Sequence, residues 1–389
     1  MTRDFTLTQT PAVVVGACGH GLAIIRALSA GGMPIIALEA NPQQPGTHTR
    51  LARVEVVPDI NGPGLIEALL SLRARITCPG LPVLFLTNDR MVRTIGTHWE
   101  RLQDAYSLSW AHSRSPLLML LEKSALEPRC ALTGLGYPKT HLLASTLDVG
   151  PAIASVRFPI IVKPARPLSR FKTAQPGTPA QLHDLAVKFE SDLPFLVQQF
   201  IPGDDTSIYF CALYLDQGRV LARFDGHKLR SRPLGHTCIA ESAHDDAVYD
   251  QACRFFAGLN LSGPVSLEVK RDEHGGLWVI EPTVGRTDFW VGVCTANGVN
   301  LPLTEYCHQT GAALPTARQT DNFIWFNEDR DPLGWFWLNR QPGLTLKGRG
   351  SSYLYLHAGD PLPALAAAKN ILVDRVRSVG RRFTRLFAR

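Results

Sequence analysis

Two glutamates, Glu268 and Glu281, flank a polar turn at His274 and Gly275. The segments on either side alternate apolar and polar residues, which predicts a β-hairpin. A loop centred between His274 and Gly275 pairs the glutamates directly, with their Cβ atoms about 5 Å apart. Mg²⁺ held jointly by carboxylates and substrate phosphates would turn their repulsion into attraction. The pattern predicts either a magnesium site or an exposed acidic hairpin whose charge Lys270 offsets.

The same pairing predicts which side chains share each face of the hairpin. Side chains alternate between the two faces of a strand. We therefore expect one apolar face and, opposite it, a polar face that carries both glutamates. The expected apolar face consists of Val265, Leu267, Val269, Trp278 and Ile280.

Basic residues precede the hairpin in the chain. Lys163 ends the apolar strand FPIIVK, and burying its ammonium is costly unless an anion meets it. Strand alternation puts Lys228, Arg230 and Arg232 on one face, which suits phosphate or carboxylate binding. A solvated basic edge that discourages sheet aggregation accounts for the same three residues.

The N-terminal part carries a glycine-rich turn at residues 16–21. Together with Glu39 it resembles a nicotinamide-dinucleotide site, but its spacing departs from GxGxxG. Tight β–α turns need glycine for steric reasons, and we favour that role. Asn88 and Asp89 follow another strand, where they would bind a ligand or cap the next helix.

The elements that must position these residues follow a regular order. Strand, helix and strand alternate from residue 12, which predicts a doubly wound α/β domain ending near residue 115. A helix carries Glu122 and Lys123, and beyond Gly311 the sequence becomes irregular. The expected strands are 12–15, 34–38, 82–87, 158–163, 195–200, 208–215 and 220–224, and further helices are expected at 65–75, 180–190 and 246–259.

Composition limits the protein class. The chain has 389 residues, of which 45% are hydrophobic and 19% charged, as in globular proteins of two or three domains. Its eight cysteines form no CxxC pair, and no signal-peptide pattern occurs, so we expect a cytoplasmic protein. The net charge of +6 resides in the C-terminal tail, and residues 1–368 net to zero, which excludes a general nucleic-acid-binding surface.

The series LTND, EKSAL, GYPKT, IIVKP, VQQFIPGDD, GHKLR, SLEVKRD and IEPTVGR resembles the ATP-grasp superfamily. It is most similar to the carboxylate–amine ligases, including D-aspartate ligase-like and D-alanine–D-alanine ligase-like enzymes, from about Val13 to Gly311. The resemblance implies an α/β chain, α+β in its C-terminal lobes, with an ATP-grasp fold after a doubly wound pre-ATP-grasp domain. The implied domains are 1–115 (pre-ATP-grasp), 116–195 (small subdomain), 196–312 (large subdomain with the metal site) and 313–389 (C-terminal extension).

The resemblance also implies the cofactors ATP and Mg²⁺ and a role for each matching residue. Lys123, Lys163 and Lys228 would contact ATP phosphates, and Asp205 would bind the ribose. Arg230 and Arg286 would contact the substrate or the intermediate. The expected adenine hinge is Gln198, Gln199, Phe200 and Ile201, and the expected metal ligands are Glu268, Glu281 and Thr283.

Three positions depart from the family pattern. Thr283 stands where many relatives have the asparagine of Glu-x-Asn, and Ser266 stands where dipeptide-forming relatives often have arginine. Arg286 could supply that missing charge. The loop after Lys163 is poor in glycine, and its cations would compensate. These cations are Arg166, Arg170 and Lys172.

The resemblance implies an enzyme that activates a small carboxylate as an acyl phosphate, which an amine then attacks to form an amide. The protein would contribute charge neutralisation rather than a nucleophile. The alternative is a non-catalytic ATP-grasp module that binds nucleotide and regulates or scaffolds an assembly.

The tail, residues 369–389, combines an apolar helical stripe with flanking arginines. Such a helix suits the anionic inner face of a membrane. The stripe would alternatively dock on the protein's own core or on the second subunit of a homodimer.

Overall fold

The N-terminal domain is a parallel sheet covered on both faces. A computed structural model describes residues 5–165, 170, 173–232, 235–342, 346 and 348–371. The four-stranded parallel sheet has the order β4-β3-β2-β6, and β1 pairs with β5 separately. The elements are β1 (Phe5–Thr6), β2 (Ala12–Val15), α1 (Gly19–Ser29), β3 (Ile35–Glu39), β4 (Arg53–Val56), α2 (Gly64–Arg73), β5 (Ile76–Thr77), β6 (Val83–Leu86), α3 (Asp89–Thr97), α4 (Arg114–Leu120) and α5 (Leu126–Thr133).

Strand β2 shows why this sheet is doubly wound. All four of its residues are buried, and alternate side chains enter different cores. Val13 and Val15 pack with α2 and α3, whereas Ala12 and Val14 pack with α1. A strand buried on both faces is apolar throughout, as the run AVVV predicts. The predicted α/β fold is confirmed.

The second unit is a three-stranded antiparallel sheet, ordered β7-β9-β8, with two helices packed on it. Strand β9 belongs to this sheet up to Gln199. The boundary expected between residues 195 and 196 falls inside β9, and the division into domains stays a prediction. The elements are β7 (Thr140–Leu143), α6 (Val149–Ser155), β8 (Ile160–Pro164), α7 (Pro179–Lys188) and β9 (Phe195–Gln199).

The largest sheet has seven strands in the order β14-β13-β10-β11-β12-β15-β16. Its last two strands come from the segment expected to be irregular, so that expectation is wrong. Apolar residues such as Trp325 hold β15 against β12. Residues 362–371 are also helical. The elements are β10 (Ile208–Asp216), β11 (Arg219–Ser231), β12 (Thr237–Ser242), α8 (Asp246–Phe256), β13 (Gly263–Arg271), β14 (Leu277–Val284), α9 (Val291–Ala296), α10 (Leu301–Thr310), β15 (Phe323–Phe326), α11 (Gly334–Leu338) and β16 (Gly350–Tyr353).

The C-terminal segment is anchored to the N-terminal domain by a buried ion pair. Asp360 is fully buried and accepts a hydrogen bond from Thr49 Oγ1 at 2.8 Å. Its carboxylate also pairs with Arg26 at 3.4 Å, and Arg26 donates to the carbonyl oxygens of Leu354 and Tyr355. These bonds tie residues after β16 to α1.

Candidate active site

A cavity of about 360 Å³ lies between the three-stranded and the seven-stranded sheets. Strands β8 and β9 line one side, and β11, β13 and β14 line the other. All the residues predicted to contact ATP line this cavity, together with both glutamates of the hairpin. These residues are Lys123, Lys163, Gln198, Gln199, Phe200, Ile201, Asp205, Lys228, Glu268 and Glu281.

The predicted pairing of Glu268 with Glu281 is confirmed, but the predicted loop centre is wrong. The hairpin loop is centred on His274, because Arg271 pairs with Leu277. A regular ladder from that loop would pair Glu268 with residue 280. A β-bulge between Glu268 and Val269 shifts the register by one residue, so that Glu281 lies opposite Glu268.

The same register corrects the predicted faces of the hairpin. Val269 pairs with Val279, and both side chains are fully buried in the core. Trp278 and Ile280 line the cavity instead of joining the apolar face. The loop is centred half a residue earlier than predicted. Near the turn, the residues of β14 that point into the core are therefore those that were predicted to point away from it.

Lys228 compensates the charge at this end of the cavity. Its Nζ lies 2.6 Å from Glu268 Oε2 and 5.5 Å from the ring centre of Trp290, and the residue is 4% exposed. Within the described ranges, no three His, Cys, Asp or Glu side chains are arranged to hold a metal. The two glutamates fit Mg²⁺ only as part of a set completed by phosphate oxygens and water.

Two lysines from different elements approach the cavity from the small sheet. Lys163 lies on β8, and Lys123 Nζ donates a 2.7 Å hydrogen bond to the carbonyl oxygen of Pro164. The expected helix through Glu122 and Lys123 is wrong, since Lys123 begins a single 3₁₀ turn between α4 and α5. This turn brings Lys123 to the end of the strand that carries Lys163.

The predicted adenine hinge follows β9. Gln198 is buried, and its amide donates to Tyr137 Oη at 3.1 Å and to Thr140 Oγ1 at 2.9 Å. These bonds engage the Gln198 side chain within the protein. The apolar side chains of Phe200 and Ile201 then line the cavity, which suits the flat face of a base.

Lys270 also lines the cavity, a position that the sequence analysis did not predict. Its Nζ donates to Gly203 O at 2.6 Å and lies 4.8 Å from the ring centre of Phe200. Burial lowers the pKa of this lysine, with Asp204 and Asp205 acting in the opposite direction. Its position two residues after Glu268, on the same strand face, was the available signal.

The acid predicted to bind ribose also supports the end of β11. Asp205 Oδ2 accepts a 2.6 Å hydrogen bond from the backbone N–H of Ser231, and both residues line the cavity. The neighbouring Asp204 instead accepts bonds from the N–H and hydroxyl of Thr206 within its own turn.

Arg230 does not line this cavity. A bulge in β11 follows Lys228, so Lys228, Arg230 and Arg232 do not share one strand face as expected. Arg230 Nε lies 2.9 Å from Asp331 Oδ2, and its guanidinium lies 4.2 Å from the ring centre of Trp337. Its predicted contact with substrate stays a prediction.

Thr283 and Arg286 belong to a cluster beside the cavity. Thr283 Oγ1 donates a 2.8 Å hydrogen bond to Asp288 Oδ2, and Arg286 Nε donates to Asp89 Oδ1 at 2.7 Å. Burial acts to raise the pKa of Asp288, but Arg286 and the bonds from Thr283 and Phe289 N–H hold it below its usual value. The cluster joins the hairpin strand to the N-terminal domain.

His20 completes this junction as a neutral imidazole. Burial and the nearby charge of Arg286 lower its pKa to about 4. Nδ1 lies 3.1 Å from the carbonyl oxygen of Thr87 and Nε2 lies 3.0 Å from Thr287 Oγ1. A carbonyl oxygen only accepts, so Nδ1 carries the hydrogen and Nε2 accepts from the threonine hydroxyl.

The N-terminal glycines serve the turn itself. A Cβ on Gly21 would lie 1.8 Å from the carbonyl oxygen of Gly16, which has φ +95°. The Glu39 carboxylate accepts hydrogen bonds from the backbone N–H groups of Ala17 and Asn41. Both observations agree with the steric role and leave Glu39 engaged in the turn.

The remaining sequence predictions fall outside the cavity or outside the described residues. Arg170 pairs with Asp192 at 2.8 Å on the surface rather than in the cavity. Asn88 caps α3 by accepting from Met91 N–H at 3.0 Å. Arg166, Lys172 and the tail from residue 372 onward lie outside the described residues.

No family model matches the chain, but individual proteins are similar to it. The D-aspartate ligase of Enterococcus faecium (strain Aus0004) is 24% identical over 283 residues, 66% of this chain and 66% of the relative. The D-alanine–D-alanine ligase of Pseudomonas entomophila (strain L48) is 27% identical over 167 residues, 40% of this chain and 52% of the relative. The aligned segments thus span from about half to about two thirds of these relatives.

Solved structures share the fold. The ADP complex of the N5-carboxyaminoimidazole ribonucleotide synthetase PurK has a TM-score of 0.63 at 13% identity, covering 82% of this chain and 81% of that one. The L-amino acid ligase from Bacillus licheniformis has a TM-score of 0.60 at 14% identity, covering 81% and 76%. The chain therefore has the ATP-grasp fold. Its sequence is similar to those of carboxylate–amine ligases, the D-aspartate and D-alanine–D-alanine ligases named above.

Proposed function

We propose that this protein is an ADP-forming carboxylate–amine ligase. The observation that carries the proposal is the convergence of three lysines and two glutamates, from five separate segments, on one cavity between two sheets. Two lysines on one side, and a third lysine beside the paired carboxylates on the other, suit a magnesium nucleotide. The named activities of the similar ligases support the same reaction class.

In this proposal the nucleotide lies along the cavity. Residues 198–201 contact adenine, and Asp205 accepts a hydrogen bond from the ribose while its other oxygen holds Ser231. Lys123, Lys163 and Lys228 neutralise the phosphates, and Glu268 and Glu281 hold Mg²⁺. Mg²⁺ held by these glutamates would offset the charge that develops in phosphoryl transfer.

The reaction transfers the γ-phosphoryl group to a carboxylate oxygen, so that the bond to the β-phosphate breaks and ADP leaves. The amine nitrogen then attacks the acyl carbon, a C–N bond forms, and the C–O bond to phosphate breaks. The amine releases one proton as the amide forms. None of these steps needs a nucleophile from the protein.

Arg286 is the residue that we propose for the substrate carboxylate. It is the buried cation of the cluster next to Glu281, and guanidinium binds a carboxylate through paired hydrogen bonds. Asp89 and Asp288 hold it in place from two sides. Thr283 would contribute to the metal site through its hydroxyl oxygen, whose hydrogen points to Asp288.

The test is ADP release with Mg²⁺·ATP and pooled amino acids and hydroxy acids as substrates. We expect release that depends on a substrate pool and disappears in Glu281→Ala, while Glu273→Ala on the exposed hairpin loop behaves as the wild type. ADP release that Glu281→Ala leaves unchanged would contradict the proposal.

The alternative is an ATP-grasp module that binds nucleotide without turnover. The observation that favours it is the presence of Thr283, whose hydroxyl is a weaker metal ligand than the amide oxygen of an asparagine. Tight binding of Mg²⁺·ATP with no ADP release from any pool would support this alternative.

We propose further that the protein is cytoplasmic and that residues 369–389 contact the inner face of the membrane. Among the described residues, no helix has both the length and the hydropathy to cross a bilayer. Asn370 donates to the carbonyl oxygen of Gln43 at 3.0 Å, so residue 370 lies against the N-terminal domain. Deleting 369–389 should shift the protein from the membrane to the soluble fraction. An unchanged distribution with loss of a dimer in light scattering would assign the tail to a homodimer.

A further inference from the structure

We propose that a second pocket, separate from the nucleotide cavity, binds an amphipathic anion: a phosphate or carboxylate head group on an apolar chain. The pocket has a volume of about 410 Å³ and lies between the end of β11 and helix α11. Small-molecule sites in proteins commonly have volumes of about 300–1,000 Å³. We call it the α11 pocket, and its lining includes Arg230, Arg232, Arg340, Leu333, Phe336 and Trp337.

The charge of the α11 pocket favours an anion. Three arginines and one aspartate, Asp331, line it. Asp331 is engaged by Arg230 at 2.9 Å. Among the residues that the structure describes, no carboxylate lies within ion-pair distance of Arg232 or Arg340. Two positive charges therefore remain for a ligand, and guanidinium groups bind phosphate and carboxylate through paired donors.

The apolar part of the lining favours a ligand that carries an apolar chain. Leu333 is 65% exposed and Phe336 is 53% exposed, although both are large apolar residues. They lie beside Trp337, and the guanidinium of Arg230 lies 4.2 Å from the centre of the Trp337 ring. Exposed apolar residues clustered beside charged ones commonly mark a binding site. A ligand chain lying on Leu333 and Phe336 would remove this surface from water.

The base of the α11 pocket is packed against a buried core. Leu338 on α11 is fully buried in a small core with Leu229, Cys238, Ile239 and Phe326. Arg230 and Asp331 are themselves mostly buried. The groups at the back of the pocket are therefore fixed by packing, and the two uncompensated arginines project from this base. Arg230 and Ser231 are adjacent in the chain, so the α11 pocket begins where the nucleotide cavity ends.

The experiment is calorimetric titration of the full chain with three soluble probes below their micelle concentrations, in the presence of Mg²⁺ and ADP. Octyl phosphate supplies both head and chain, inorganic phosphate supplies only the head, and octyl glucoside supplies only the chain. We expect one octyl phosphate per chain, bound at least about tenfold more tightly than either partial probe. Equal affinity for octyl phosphate and octyl glucoside would overturn the proposal.

Variants locate the binding. Arg232→Gln with Arg340→Gln should weaken octyl phosphate by about tenfold or more. Leu333→Ser with Phe336→Ser should reduce its affinity to that of inorganic phosphate. Arg219→Gln, at the opposite end of β11 with a side chain that is 72% exposed, is the matched control and should bind as the wild type. Octyl phosphate binding that all three variants retain would place the site elsewhere and refute the proposal.

Binding to lipid vesicles distinguishes a membrane lipid from a free small molecule as the source of the ligand. Binding to vesicles that contain anionic lipid, without any binding of monomeric octyl phosphate, would make this face a membrane contact and overturn the pocket proposal. Nucleotide affinity and ADP release are measured on the same variants. Loss of ADP release in every sample, wild type included, would reject the proposed ligase without affecting the result for the α11 pocket.

Discussion

Thr283 Oγ1 lies 2.8 Å from Asp288 Oδ2, which connects the strand that carries Glu281 to the turn that carries Arg286. The proposed metal end and the proposed carboxylate end of the site are thus connected through the Thr283 hydroxyl. Asp288 also accepts from Phe289 N–H at 2.7 Å and lies 4.0 Å from Arg286. Thr283, which stands where the family resemblance implies an asparagine, is therefore part of the connection between the two ends.

Thr283→Val should test this connection. Valine keeps the shape but removes the donor, so a buried carboxylate loses one of its partners. We expect the free energy of unfolding to fall by about 1–3 kcal/mol. Thr283→Ser keeps a hydroxyl and is the control, measured in the same urea titration. Equal destabilisation by serine and valine would mean that the methyl group, rather than the hydrogen bond, matters.

Lys228→Met should weaken nucleotide binding. The ammonium is buried 2.6 Å from Glu268 Oε2, so its removal takes a positive charge away from the pair of glutamates. We expect the Kd for Mg²⁺·ADP to rise by about tenfold or more. Calorimetric titration measures the change, and Lys188→Met at the end of α7, outside the cavity, is the control. A Kd equal to that of the wild type would mean that Lys228 does not contribute to phosphate binding.

Arg286→Gln should act on the carboxylate substrate and not on the nucleotide. The residue lies outside the nucleotide cavity and pairs with Asp89 and Asp288. Once a substrate is identified, we expect its KM to rise by about ten- to a hundredfold with the affinity for ADP unchanged. Arg286→Lys retains the charge but not the paired donors, so its KM should be intermediate. Parallel losses of substrate and ADP binding would indicate a structural role instead.

Glu305 should make stability depend on pH. It is 3% exposed on α10 and accepts a 2.5 Å hydrogen bond from Ser109 Oγ in the N-terminal domain. Burial raises its pKa from 4.5 to about 8. Between these values the folded protein retains a proton that the unfolded chain has lost. The contribution is fully present below about pH 4.5 and is lost as pH rises through about 8, at about 1.4 kcal/mol per pH unit.

Glu305→Gln should remove this pH dependence, because glutamine is neutral at every pH. Urea unfolding at pH 5, 6, 7 and 8 should show the wild type losing stability relative to the variant as pH rises. Glu67→Gln, at a side chain that is 66% exposed, should leave the wild-type slope intact. Parallel curves for the wild type and Glu305→Gln would mean that Glu305 ionises in the folded protein as it does in the unfolded chain.

Much of the nucleotide cavity could be predicted from the chain because its residues are carried by short motifs in a fixed order. The predicted pairing of Glu268 and Glu281 is confirmed, although it depends on a bulge that offsets an incorrect loop centre. Sequence alternation has no means of detecting a bulge, since the extra residue looks like any other. The incorrect loop centre misassigned Trp278 and Ile280, and an undetected bulge in β11 misassigned the face of Arg230.

By itself, the sequence determined the α/β fold class, the alternation of buried strands and helices, and the residue types able to bind phosphate and metal. These depend on local periodicity and on the cost of burying charge, both of which are written along the chain. Only the tertiary structure decided that β15 and β16 complete the large sheet, that Arg286 bonds to Asp89, and that Arg230 faces the α11 pocket. Those outcomes depend on contacts between residues far apart in the chain, and local patterns carry no information about which distant partner is met.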